Sequence, residues 1–206
     1  ASRMLRLEYC ESNIFEDRPS VFACCRNFDA PKFEVCRHNG KLEIHTEYLS
    51  LFYDEKPFSA GGLSIKVRSE TRGIYSTWHY GDKLRENLGG TARTLDMADG
   101  EIPLRKGIQS RLQGYSVIDD SDSPLIESDG AIISHAEKAI DLYFFGYGLE
   151  YQAALNDFFE LSGRPPMLPR YALGNWWSRF HAYSDDEYLN LMDRFRAERV
   201  PFSVAV

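Results

Sequence analysis

The sequence predicts a mainly β fold, an antiparallel β-sandwich, followed by one truncated βαβ unit. Short runs of alternating apolar and polar residues recur up to about residue 145, divided by turn clusters. Near Glu150 the apolar period lengthens to that of a helix. Beyond a proline-rich connector, a strand, a capped helix and a second strand follow in turn.

The first alternating runs are Phe33-Glu34-Val35-Cys36 and Leu42, Ile44, Thr46, Tyr48. Asn39-Gly40 between them predicts a tight hairpin, because both residues tolerate the positive φ of a type I′ turn. After Pro57 and Gly61-Gly62, the run Leu63, Ile65, Val67 predicts another strand. Tyr115–Ile118, Ala131–Ile133 and the strongly apolar Leu142–Phe145 complete the set, with turns at 119–124 and 128–130. Many short strands with regular punctuation indicate an antiparallel sandwich.

Tyr151, Ala154, Leu155, Phe158 and Phe159 share one helical face, and Gly163 suits the position after the helix end. This places a helix near 150–162 and the sandwich domain at residues 1–165. Arg164-Pro165-Pro166 through Pro169 is a rigid connector. In 166–206, Tyr171–Trp177 reads as a buried strand. Ser184 and Glu187 form a capping box, in which each side chain satisfies an orphan N–H of the helix start. Tyr188, Leu191, Met192 and Phe195 make the apolar stripe, and Pro201 opens the next strand. A parallel pair needs further strands on which to close. The chain ends inside the apolar run Phe202–Val206, so it is expected to be part of a longer protein.

The 206 residues carry 24 Lys and Arg against 31 Asp and Glu, a net charge of −7. An acidic surface argues against nucleic acid or an anionic membrane as partner. The 43% hydrophobic and 27% charged residues exclude a disordered chain. The 14% aromatic content fits a β-rich core or a surface that stacks on sugars. Cys10, Cys24, Cys25 and Cys36 lack C-x-x-C spacing, and no secretory segment precedes them. They read as reduced, mostly buried thiols of a cytoplasmic protein. No run approaches the roughly 20 apolar residues of a membrane span.

G-x-S-x-G, H-E-x-x-H and phosphate-loop spacings are absent. The five histidines are scattered, which argues against a metal site, and no cofactor is expected. Asp119 and Asp120 are adjacent, so on a strand they would face opposite ways and read as a turn rather than a catalytic pair. Two segments stand out. Residues 86–100 form a long, glycine-punctuated loop, either functional or a solvated connector. Trp176-Trp177-Ser178-Arg179-Phe180-His181-Ala182-Tyr183 is the densest aromatic cluster, at a strand end where α/β barrels keep their chemistry. Its rings could stack on sugars and Arg179 could bond hydroxyls, or the tryptophans could be core. One tryptophan is expected in the core and the other less so.

The run Ala172-Leu173-Gly174-Asn175-Trp176-Trp177-Ser178-Arg179, the helix with Leu191-Met192-Asp193-Arg194-Phe195 and the strand Val200–Val206 resemble the start of the catalytic barrel of glycoside hydrolase family 31. Asn87–Asp96, Gly114–Ser121 and Asp141–Gly148 are similar to that family's N-terminal sandwich. The resemblance covers nearly the whole chain. It implies a galactose-mutarotase-like sandwich followed by the first βαβ of a (β/α)8 barrel. It also implies a retaining α-glycosidase, α-glucosidase-like or α-xylosidase-like, acting on α-linked oligosaccharides.

Such retention needs two carboxylates roughly 5–5.5 Å apart. The family carries both on later barrel strands, so this chain is expected to contain neither catalytic residue and to be inactive alone. By the family pattern Asp96 would lie on a loop over the barrel mouth and bond sugar hydroxyls. Trp177, Arg179 and Phe180 would line the pocket. Phe180 stands where many relatives have Tyr, which removes a hydroxyl. The expected partners are the substrate and the remainder of the barrel, with homo-oligomerisation left open. A carbohydrate-binding module and an interdomain or oligomerisation module are the rival readings.

Overall fold

The computed structural model describes every residue except Glu70, Thr71, Arg72, Arg93 and Leu95, and of residues 69 and 73–75 the backbone alone. The chain divides into two compact units, Ala1–Arg164 and Pro165–Val206.

In the first unit, β2 (Glu34–His38), β3 (Lys41–His45), β4 (Leu49–Tyr53), β5 (Leu63–Ser69) and β6 (Gly73–His79) form a five-stranded antiparallel meander. A second antiparallel sheet has the order β1 (Met4–Tyr9), β10 (Ile140–Phe145), β7 (Ser116–Asp119). A small hairpin joins β8 (Leu125–Ile126) to β9 (Ile132–Ile133). Asn39 and Gly40 have φ of 51° and 72°, the paired left-handed conformation that closes β2 onto β3 with His38 opposite Lys41.

The two larger sheets face one another. Leu49, Leu51, Leu63, Ile65, Val67 and Trp78 of the meander pack with Leu7, Leu142 and Phe144. The rings of Trp78 and Phe144 lie 5.4 Å apart across that layer. The opposite face of the smaller sheet, with Met4, Tyr143 and Phe145, packs on α1 (Tyr151–Ser162) through Ala154, Leu161 and Phe158. Strand β10 is therefore covered on both faces, which explains why Leu142–Phe145 is continuously apolar rather than alternating. Gly163 at φ 84° ends the helix.

The edge strand β2 departs from expectation. Every residue of it is exposed, Val35 by 51%, because among the described residues β3 is its only neighbour in the sheet. The cysteines depart with it. All four are free, but only Cys10 is buried, while Cys25 and Cys36 are exposed; Cys36 lies on that uncovered edge.

The second unit consists of a 3-10 turn (Arg170–Leu173), β11 (Trp176–Trp177), α2 (Asp185–Ala197) and β12 (Val204–Ala205), with β11 and β12 parallel. Asn175 holds the pairing: its carbonyl accepts from Ser203 N at 2.8 Å and its Nδ2 donates to Pro201 O at 3.0 Å. A Cβ on Gly174 would overlap the Ser203 side chain, so glycine is required for that approach. Ser184 and Glu187 form the capping box reciprocally. The stripe Tyr188, Leu191, Met192 and Phe195 is the half-buried face of α2. No residue from Pro165 to Val206, all of them described, is fully buried. Among the described residues, no helix is long and apolar enough to cross a membrane.

Candidate functional site

The long loop is built on two arms, residues 86–91 and 105–111. Leu88 N donates to Gln109 O at 3.0 Å, Gly90 N to Arg105 O at 2.7 Å, and Arg111 N to Glu86 O at 2.9 Å. Asn87 clasps them. Its Nδ2 donates to Gly107 O at 2.7 Å, and its Oδ1 accepts from Gly89 N at 2.9 Å and Gly107 N at 2.8 Å. A Cβ on Gly107 would overlap the Gly89 carbonyl, so the arms close only with glycine there. Asp96 is carried between these fixed arms and is exposed; its N–H donates to Thr94 Oγ1 at 3.0 Å. Arg93 and Leu95 of the Asn87–Asp96 motif lie outside the described residues.

The arms also wall a cleft of about 570 Å³, lined by Phe22, Ile118, Leu155 and Phe158 among others. The lining holds no carboxylate among the described residues, so it offers no acid or base for glycosidic chemistry.

In the second unit, Trp177 is half-buried. Its ring lies 5.2 Å from Phe195, 6.2 Å from Tyr188 and 6.3 Å from Tyr183, and Trp176 is exposed. Neither tryptophan is fully buried, because the two-stranded sheet covers too little area to enclose an indole. Arg179 is exposed, and its Nη1 donates to Tyr183 Oη at 3.4 Å. It lines a depression of about 550 Å³ with His181, Tyr183, Asp185, Tyr188 and Val206. Phe180 is fully exposed and, like Trp177, does not line that depression. Arg179 and the two tyrosines can bond or stack on a polyol. Asp185 is the sole carboxylate in the lining among the described residues, which does not make a retaining pair. Asp96 belongs to the other unit.

Two clusters escaped the sequence reading. Asp119 and Asp120 do lead into a turn, with Ser123 N donating to Asp120 O at 3.1 Å. Asp120, however, is wholly buried and accepts from Ser20 Oγ at 2.7 Å and Arg26 Nη2 at 3.3 Å. Beside it, Arg6 grips Asp141 with two bonds of 2.9 and 2.8 Å. Burial disfavours the Arg6 cation, but its bond to Asp141 and the surrounding carboxylates outweigh this and raise its pKa. Burial also pushes the Glu8 carboxyl upward, against the Glu16 N–H that it accepts and the Arg6 charge. This network ties the segment 16–26 to the smaller sheet.

The second cluster contains one of the five scattered histidines, His45. The β2–β3 hairpin brings Cys36, Glu43 and His45 together, with their ligand atoms all within 4.8 Å of one another. The turn at Asn39-Gly40 dictates this, since it sets Cys36 opposite Glu43.

No family model matches the chain. An α-xylosidase from Saccharolobus solfataricus is 28% identical over 124 residues, covering 58% of this chain and 17% of that protein. Two structures of the Flavobacterium johnsoniae GH31 dextranase share the fold. A mutant complexed with isomaltotriose superposes with a TM-score of 0.58, and the glucose complex with 0.57. Each is 13% identical and covers 100% of this chain and 30% of the dextranase. The chain thus spans less than a third of the length of these relatives. Together the relative and the shared fold support the resemblance of this chain to the N-terminal region of glycoside hydrolase family 31.

Proposed function

We propose that this chain is the N-terminal portion of a retaining α-glycoside hydrolase acting on α-linked oligosaccharides. In this reading residues 1–165 are a scaffold whose clasped loop carries Asp96 to the sugar, and 166–206 begin the catalytic barrel. The observation that carries the proposal is the 28% identity to an α-xylosidase over 124 residues. Asp96 supplies a carboxylate that accepts hydroxyl hydrogen bonds, and Arg179 supplies donors for them. Trp177 steadies the strand end that carries Arg179 by packing on α2, and the exposed Phe180 offers a ring face to a sugar. The two carboxylates that cleave the bond lie beyond Val206, so the chain alone is inactive. The fitting substrates are α-glucosides and α-xylosides.

The test is an assay on aryl α-xylosides and α-glucosides, using the purified chain and the longer protein that continues past Val206. The longer protein should turn over one of them and the chain neither. In the longer protein Asp96→Ala should lower kcat/KM mainly by raising KM. Unchanged kcat/KM would remove Asp96 from the site, and an inactive longer protein would overturn the enzyme reading. Stoichiometric oligosaccharide binding by the chain alone, measured by calorimetry, would favour a carbohydrate-binding module instead.

A further inference from the structure

We propose that Cys36, Glu43 and His45 form a divalent transition-metal site, with zinc the best fit, on the solvent face of the five-stranded sheet. The argument starts from the register. Cys36 and Glu43 are cross-strand partners, and His45 follows Glu43 by two residues, so all three project from the same face. The opposite face alternates with them and turns Leu42 and Ile44 inward, with Ile44 packed against the core.

The geometry is close to that of a bound ion. Glu43 Oε2 lies 3.2 Å from His45 Nε2 and 4.0 Å from Cys36 Sγ. Tetrahedral zinc with ordinary bond lengths to sulfur, nitrogen and oxygen holds its ligand atoms about 3.3–3.8 Å apart. All three ligand atoms lie within 4.8 Å of one another, so rotation of the exposed Cys36 side chain by up to about 1 Å closes the set around an ion. The cluster is only partly exposed at Glu43 and His45, while Cys36 remains open to solvent, which gives an ion a path in.

The histidine is also held for the task. Its Nδ1 is 3.0 Å from Ser50 Oγ and its ring meets Phe52 edge-on at 6.0 Å, which leaves Nε2 aimed at the carboxylate. An outer hydrogen bond on the second ring nitrogen is the usual device for fixing a metal-binding imidazole. Thiolate, imidazole and carboxylate together suit zinc better than calcium or magnesium, which take oxygen ligands. Three protein ligands leave a fourth position for water or an incoming group. Glu34, directly opposite His45 on the same face, is a further carboxylate within the hairpin.

The experiment is a titration of the chain with Co(II), read by the thiolate-to-cobalt charge-transfer absorption, followed by displacement with Zn(II). A single ion per chain should bind and zinc should displace it. Cys36→Ser should abolish the charge-transfer band. His45→Gln should weaken cobalt binding by more than about tenfold, as loss of a ligand does. The double variant Cys24→Ser, Cys25→Ser should bind as the unaltered chain does. Circular dichroism of each variant checks that the sheet is intact, which the exposed setting of β2 favours. A chain without the thiolate band, a band that survives Cys36→Ser, or a band lost with Cys24 and Cys25 would overturn the proposal.

Discussion

The two units obey the same local rules and reach different ends. Strand β10 in the first unit and α2 in the second are each well specified by their residues. Phe144 of β10 has no exposed surface, whereas no residue of α2 is buried. The capping box, the acidic first turn Asp185-Asp186-Glu187 and the basic residues Arg194 and Arg196 define α2 without enclosing it. Local signals decide which elements form, and the supply of further layers decides whether they are buried. In the first unit a five-stranded sheet, a three-stranded sheet and α1 give two core layers. The parallel pair β11–β12 has one helix over it, while parallel strands are ordinarily covered on both faces.

The largest expected difference lies in local opening. Amides of β5 and β10 should exchange at rates set by opening of the whole first unit, and those of β11, α2 and β12 near the unprotected limit. Native-state hydrogen exchange read residue by residue measures both. Protection in α2 equal to that in β10, in a monomer, would break the comparison.

Core truncation should show the same contrast. Phe144 meets Trp78 and Tyr115 at 5.4 and 5.7 Å between ring centroids. Phe144→Ala should cost about 3–5 kcal/mol in denaturant unfolding, from lost transfer energy and an unfilled cavity. Phe180→Ala, at a fully exposed ring, should change the stability of the chain by less than about 0.5 kcal/mol.

How much of this is visible in the residues depends on how far apart the cooperating groups are. The β2–β3 hairpin needs only Asn39-Gly40 and flanking alternation, and α2 only Ser184, Glu187 and a stripe of four. Strand β10 announces its double burial as an unbroken apolar run. The clasp of the long loop joins Asn87 to Gly107, and neither residue marks the other in the sequence. Asp120 looks like one more turn carboxylate until Arg26 and Ser20 close on it from about a hundred residues away. The Cys36–Glu43–His45 cluster was within reach, because the turn alone sets the pairing. It stays hidden when histidines are counted by spacing along the chain rather than across the hairpin.

Alkaline pH should act on the first unit. Tyr143 is buried, which pushes its hydroxyl from the ordinary value of 10.0 up to about 12, and its oxygen has no hydrogen-bond partner among the described residues. The unfolded chain ionises first, so stability is complete below pH 10 and falls as pH rises toward about 12. Tyr147, also raised by burial and by its bond to Asp157, adds in the same direction. Denaturation midpoints across that window should fall less steeply for Tyr143→Phe than for the unaltered chain. Parallel slopes would show that Tyr143 does not carry the effect.

A local effect tests whether the second unit depends on its local signals alone. Ser184 Oγ accepts from Glu187 N at 3.3 Å, while Ser184 N donates to Glu187 Oε2 at 2.9 Å. The Ser184 N–H and hydroxyl that it accepts hold the Glu187 carboxyl below its ordinary value. Ser184→Ala removes the side-chain half of the box and should destabilise α2 by about 1 kcal/mol. In the first unit such a loss would be spread over a cooperative core and hard to see. In a helix with no buried residue it is a large share of what holds the turn, so amide exchange and chemical shifts of residues 185–189 should move toward the unfolded values. The urea midpoint of the first unit should not change. A shifted midpoint would mean that the two units unfold together, and that the absence of a buried core in the second does not make it independent.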